Sequence, residues 1–236
     1  MDSSTCVPDL GRTLFNQSVQ FPDMKPQDLS YPFSWNARRP FLEGQVFYVP
    51  DYYEDHNRKF FPQLKAHFGN DHPVQIEYCS GNGEWILDKA QASPEINWIA
   101  VEKKFKRVRK IYSKMVNRGL KNILIVSGEA LTFSKQYLPE EGLDRVFINF
   151  PDPWPKERHA KHRLIRKPFV QELNRTVKRH GSVTLVTDHP SYLEQMRFEM
   201  QEWTLETDSL KAYGSSYFER LWLSKGLKIN HLHYVR

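Results

Sequence analysis

Four carboxylates, Glu77, Glu102, Glu129 and Asp152, recur along the middle of this sequence at similar points in its pattern. Each stands at the end of, or just beyond, a short apolar run rich in β-branched residues: 74–79, 98–102, 123–126 and 145–150. Such runs read as buried parallel strands. Ligands of open α/β sheets bind outside the carboxyl ends of the strands, so four acids in register there define a candidate site. A carboxylate at that place can accept both hydroxyls of a ribose, or offset a positive charge. Glu102 also has a structural reading, as a helix N-cap or first-turn acid favoured by the helix dipole. Asp152 stands apart because it lies in "NFPDPWPK". Its flanking prolines fix φ and remove backbone donors, which makes a stiff turn and holds the acid in one place.

The chain turns cationic directly after that acid. Lys156, Arg158, Lys161, Arg163, Arg166 and Lys167 follow, interleaved with His159 and His162. A run of this kind suits phosphates, whose contacts position a nucleic acid without reading its sequence. A solvated basic loop is the competing reading. Lys103, Lys104, Lys106, Arg107, Arg109 and Lys110 form a second cluster, read as the solvated face of an amphipathic helix. Upstream, "EYCSGNGE" follows the first run and opens a helix. Gly81 and Gly83 let the backbone approach a ligand closely, beside the positive end of the helix dipole. The spacing is neither G-x-G-x-x-G nor a Walker loop, and glycine turns also serve simply to join strand to helix. Cys79 reads as a small buried filler, since nothing adjacent would lower its pKa. Trp154 either packs the proline turn or stacks on a base, and His189 reads as a cap at a strand end.

The elements that must position these groups alternate. Apolar spacing over 105–116 predicts a helix stopped by Gly119, and 168–177 predicts another opened by Pro168. A fifth strand is expected at 183–187, with two more near Trp203 and over 229–235. Strands alternating with helices argue for an α/β fold with a parallel sheet. The first seventy residues carry Pro8, Pro22, Pro26, Pro32, Pro40, Pro50 and Pro62, and read as irregular. A net charge of +6 leans towards nucleic acid. Two cysteines, Cys6 and Cys79, are too few for a disulfide framework or a cysteine-based zinc site. No run is long and apolar enough for a membrane helix, and the polar N-terminus lacks a signal-peptide pattern, so a cytoplasmic protein is expected.

The motifs "EYCSGNGE", "AVEKK", "RGLKNI", "SGEA", "DRVFINFPDPWPKERHAKHRL", "FVQELNRTVKRHGSVTLVTDH" and "SYFER" together resemble the bacterial tRNA (guanine-N7-)-methyltransferases. The likeness spans roughly residues 74–226. It implies a Rossmann-like class I methyltransferase dependent on S-adenosylmethionine (SAM), with a mostly parallel seven-stranded sheet and helices on both faces. Residues 71–236 would form that domain, and 1–70 an extension packing on or preceding it. The implied reaction is methyl transfer to N7 of guanine 46 in the tRNA variable loop, by a monomer or homodimer with no metal and no membrane. By position, Glu77, Gly81, Gly83, Glu102, Glu129 and Asp152 would contact SAM, and Asp152 would also face the chemistry. Lys156, Asp188, Ser216, Tyr217, Phe218 and Glu219 would lie on the substrate side, with Arg158, Lys161 and Arg163 as phosphate contacts. Three departures from the family pattern stand out. Cys79 occupies the usual first glycine, Glu129 replaces an aspartate, and Ser216–Tyr217 replaces a threonine and its neighbour.

The chemistry asks little of these residues. Guanine N7 has an in-plane lone pair and no proton to lose, so alignment supplies much of the rate. The base becomes cationic, and a fixed carboxylate such as Asp152 stabilises that charge as it develops. Asp152 and Asp188 can also accept hydrogen bonds from the guanine edge. Two alternatives compete: methylation of an exocyclic amine by an Asn-Pro-Pro-aromatic type of turn, and an RNA-binding protein that has kept the fold without the activity.

Overall fold

The computed structural model describes residues 23–51, 53–56, 63–208, 213–214 and 216–236; Cys6, Pro8, Pro22 and Pro62 lie outside them. Nine strands among the described residues form one sheet. They are β1 (Phe41–Glu43), β2 (Val46–Tyr48), β3 (Val74–Tyr78), β4 (Asn97–Glu102), β5 (Ile123–Ser127), β6 (Leu143–Asn149), β7 (Val177–Thr187), β8 (Thr204–Thr207) and β9 (Asn230–Val235). Their order is β1-β2-β5-β4-β3-β6-β7-β9-β8. From β2 to β7 every pairing is parallel, whereas β1–β2, β7–β9 and β8–β9 are antiparallel.

The helices are α1 (Leu64–Phe68), α2 (Glu84–Ala92), α3 (Phe105–Asn117), α4 (Ala130–Tyr137), α5 (Lys167–Thr176), α6 (Pro190–Glu199) and α7 (Tyr217–Ser224). The period of two along each strand sorts side chains between two cores. Along β5, Ile123 and Ile125 join Val108, Ile111 and Met115 of α3, while Leu124 and Val126 join Phe133 of α4 and Leu173 of α5. Burial on both faces explains why these strands carry unbroken apolar runs. Each such side chain contributes about 1.5–3 kcal/mol relative to exposure.

The expectation of seven strands is corrected to nine. Proline density hid the β1–β2 hairpin, whose strands of three residues are too short to show a period. β2 adds in parallel to β5, through Val46↔Ile125, Phe47↔Val126 and Tyr48↔Ser127. A Cβ at Gly128 would sit 2.7 Å from Val49 Cβ, so only glycine lets the hairpin close on the β5 turn. Arg109 anchors the segment before the hairpin, donating from its guanidinium to the carbonyls of Gln27 and Leu29. One cation of the α3 cluster is therefore a structural tie.

Candidate active site

The carboxyl ends of β3, β4, β5 and β6 surround a cavity of about 440 Å³ whose wall includes Cys79, Glu102, Glu129 and Asp152. A narrow cleft beside it reaches Glu77, Gly81 and Asn149. Cys79, Phe150 and Phe218 line both, so the Phe218 ring stands where the two meet.

The turn after β3 explains its sequence. Cys79, Gly81 and Gly83 all have positive φ (62°, 58° and 76°). Gly83 caps α2, and a Cβ there would lie 2.8 Å from Ile111 Cγ1, so its absence lets α2 pack on α3. Cys79 takes a left-handed conformation that glycine adopts freely and other residues adopt at a cost. Burial, aided by nearby carboxylates, pushes its thiol up, as expected of a filler.

Glu102 is not a cap of α3, whose N-cap is Lys104; it ties two turns together while remaining in the cavity wall. Its Oε2 accepts from the Gly81 amide at 2.9 Å and its Oε1 from the Lys104 amide at 2.7 Å, joining the turns after β3 and β4. Arg107 Nη1 lies 3.6 Å from Oε2. Glu129 is a helix cap, accepting from the Thr132 amide at 2.7 Å at the start of α4.

Glu77 is buried on β3. Asn149 Nδ2 donates to its Oε1 at 2.7 Å, while Oε2 has no partner among the described residues. Burial raises its carboxyl from about 4.5 to about 7, an effect the Asn149 bond partly offsets. The Tyr213 hydroxyl donates to Asn149 Oδ1 at 2.6 Å and so sets which way the amide faces. Tyr213 is fixed in turn by stacking on Trp85, whose Nε1 donates to the Tyr213 carbonyl. Sequence reasoning missed this relay. A polar Asn149 ending an apolar strand was its visible signal; Tyr213 is too distant in sequence to have one.

Asp152 is held differently. Phe150 and Trp154, on either side of it, both have positive φ (49° and 42°). The Asp152 carboxylate is exposed, lines the cavity and has no hydrogen bond or ion pair among the described residues. Trp154 lines the cavity too, with its ring against His159 and His162.

Arg163, expected to meet phosphate, is turned inward and is only 8% exposed. Its Nε donates to the Pro153 carbonyl at 2.7 Å, its Nη1 to Gln195 at 2.8 Å and its Nη2 to Ser191 at 3.1 Å. The guanidinium also lies 5.1 Å from the centre of the Tyr192 ring. Every arm is satisfied by protein, so Arg163 is a brace for the Asp152 loop and leaves the phosphate set. Lys156, Arg158 and Lys161 remain exposed on the 3-10 turn Glu157–His162 and its cap, and Lys156 stands outside the cavity wall.

Asp188 lines the cavity, as do Phe218 and Trp222 of α7. Ser216 and Glu219 form a capping box for α7: Ser216 Oγ accepts from the Glu219 amide at 3.1 Å, and Glu219 Oε2 accepts from the Ser216 amide. The exposed Tyr217 shares the narrow cleft with Ser216. Of the expected site residues, the structure brings together the four strand-end acids, the glycine turn, Asp188 and α7. Lys156, Arg158 and Lys161 stay outside.

Residues 71–231 match a family described as putative methyltransferases. Among solved structures, the 16S rRNA methyltransferase KamB is similar in fold, with a TM-score of 0.57 at 15% identity over 74% of this chain and 94% of that one. A tRNA (guanine-N(7)-)-methyltransferase of Chlamydia caviae is 44% identical over 90% of this chain and 98% of its own length. Its namesake in Bacillus cytotoxicus is 32% identical over 70% and 80%. With that identity over nearly the whole of a relative, and the strand-end acids gathered as the motifs require, the chain belongs to the tRNA (guanine-N(7)-)-methyltransferase family.

Proposed function

We propose that this protein transfers a methyl group from SAM to N7 of a guanine in tRNA, at position 46 of the variable loop. The observation that carries the reading is Asp152, a carboxylate with no partner among the described residues, on a braced loop in the wall of the cavity. The residues present suit SAM. Glu77 offers an ammonium a buried oxygen with no partner among the described residues, and Gly81 leaves the backbone bare in the narrow cleft beside it, with Gly83 completing the turn. Glu102 would take the ribose, with Glu129 towards the base. When bound, SAM supplies a methyl group carried on a positively charged sulfur.

The chain's own work is placement and charge. No residue needs to remove a proton from N7. Asp152 fixes negative charge beside the base that turns cationic, in a position set before reaction and therefore without reorganisation. Asp188, in the cavity wall, would accept from the guanine edge, and Ser216, Tyr217, Phe218 and Glu219 would shape the substrate side through α7. Lys156, Arg158 and Lys161 are assigned to the RNA, Lys156 nearest the base and the other two on phosphates. Each phosphate contact contributes roughly 0.7–0.9 to the slope of log K against log salt.

The test is transfer from labelled SAM to unmodified tRNA transcripts with guanine or adenine at position 46, followed by reduction and aniline cleavage. Label and cleavage at that guanine alone are expected. Label without cleavage would point to an exocyclic amine, and failure to bind SAM at millimolar concentration to a binding protein.

A further inference from the structure

Next to the cofactor cavity lies a second one, of about 270 Å³, which the proposed reaction does not use. Its wall is aromatic, formed by Tyr31, Phe33, Trp35 and Tyr48, with Arg38, Asp51 and Lys103 at the polar positions. Lys103 and Gly128 line this cavity and the cofactor cavity alike, so the two adjoin. Trp35 is 66% exposed and Tyr31 51%, a large apolar exposure for residues in one pocket. The rings are nonetheless held in place. Tyr31 stacks on Phe105 at 3.8 Å, Phe33 meets Tyr48 edge-on at 5.9 Å, and the Arg38 guanidinium lies 4.1 Å from the Trp35 ring centre. Lys103 Nζ sits 3.4 Å from the Asp51 carboxylate.

We propose that this pocket stacks one unpaired nucleobase of the tRNA while the guanine to be methylated occupies the adjoining cavity. The inference rests on the tRNA reading above and adds a subsite to it. Fixed rings that expose their faces, with cations at the rim, are the means by which proteins hold single-stranded bases without reading them. Arg38 and Lys103 suit the phosphates flanking such a base, and the Asp51 carboxylate can accept from its amino edge. Adjacency to the cofactor cavity puts the base within reach on the strand that delivers the target, and stacking there would help hold that strand open.

The experiment measures tRNA affinity, its salt slope, SAM affinity and thermal melting for the full chain and for Trp35→Ala, Tyr31→Ala and Trp35→Phe. Loss of one stacked base should weaken tRNA binding about 5- to 140-fold, equivalent to about 1–3 kcal/mol, in either alanine variant. The salt slope should be unchanged because no phosphate contact is lost. Trp35→Phe keeps a ring and should retain most of the affinity. Melting and SAM affinity should match the parent in both Trp35 variants, since Trp35 is exposed and outside the cofactor cavity, whereas Tyr31→Ala also loses the Phe105 stack and should melt lower. Parental tRNA affinity in both alanine variants, from a parent that binds and methylates tRNA, would overturn the stacking subsite alone. Loss of SAM affinity would assign the pocket to the cofactor and also overturn it. A parent that neither binds nor methylates tRNA would remove the functional reading, and this subsite with it.

Discussion

Glu77 lies on β3 and Asp152 follows the adjacent strand β6, yet the chain holds them in opposite ways. Glu77 is buried and tethered to Asn149, which Tyr213 orients in turn. Asp152 is exposed and has no side-chain partner among the described residues; its backbone is fixed by positive φ on both sides and by Arg163 on the Pro153 carbonyl. The contrast separates two tasks. An acid bonded into the core is suited to a cation that arrives whole and stays. An acid with free oxygens on a rigid loop is suited to charge that appears only during reaction. Strain at two residues, of order 1–3 kcal/mol each, persists because its surroundings enforce it.

The strongest way to break this comparison is to remove Asp152. Asp152→Ala should lower kcat by about 10²–10³-fold, the scale of losing one preorganised charge-stabilising group. SAM affinity should fall far less and melting should stay parental. Near-parental kcat would take Asp152 out of the mechanism.

Glu77 should respond in the opposite sense, through stability and pH. Its folded-state pKa of about 7 lies above the usual 4.5, so the folded protein holds the proton more tightly. That contribution is complete below about pH 4.5 and is lost as pH rises through about 7, to a total on the order of 3 kcal/mol. Glu77→Gln should therefore flatten this fall in urea-unfolding stability between pH 5 and 8. It should also abolish the gain in SAM affinity with rising pH that an ionised Glu77 facing an ammonium implies. An unchanged pH profile of stability would mean that Glu77 is not desolvated.

Arg163→Ala tests the brace. Losing a buried guanidinium with three partners should cost about 2–3 kcal/mol of stability and lower kcat, with the salt slope of tRNA binding unchanged. A flattened slope with parental stability would return Arg163 to the phosphates. A smaller effect is expected at the other end of the site. Tyr213→Phe removes one hydrogen bond, worth about 1 kcal/mol. Calorimetry should show S-adenosylhomocysteine, which has the α-amino group, weakened about fivefold, and 5′-methylthioadenosine, which lacks it, unaffected. Equal loss for both ligands would make Tyr213 a general packing residue.

The same contrast governs what could be read from sequence. β3 to β7 and the acids at their ends were legible because burial on both faces writes itself as apolar runs, and because ligand position follows from strand direction. The β1–β2 hairpin was not, since three-residue strands carry no period. Within the basic run, charge pattern alone does not say which cation turns inward. Arg163 does so because Gln195, Ser191 and Tyr192, about thirty residues later, supply its partners. Tyr213 reaches Asn149 across sixty-four residues, a contact no local pattern encodes. The requirement for positive φ at Cys79 was likewise hidden, although the glycine that the family usually carries there pointed to it.

That position gives the smallest expected effect and sharpens the comparison most finely. With φ at 62°, Cys79 carries left-handed strain of roughly 1–2 kcal/mol that glycine would not. Glycine has its own cost of roughly 0.5–1 kcal/mol, because it frees the unfolded chain. The difference predicts that Cys79→Gly stabilises the protein by about 0.5–1 kcal/mol, a rise of a few degrees in melting temperature at this size. Cys79→Ala keeps the strain and loses the thiol's packing, so it should be no more stable than the parent. The order Gly above Cys, with Ala no higher than Cys, in urea unfolding would locate strain on the cofactor side as well, at its one non-glycine left-handed residue. If Ala matches or exceeds Gly, the thiol is overpacked and backbone conformation is not the cause. In that case strain in this site would belong to the Asp152 loop alone, where the developing charge is met.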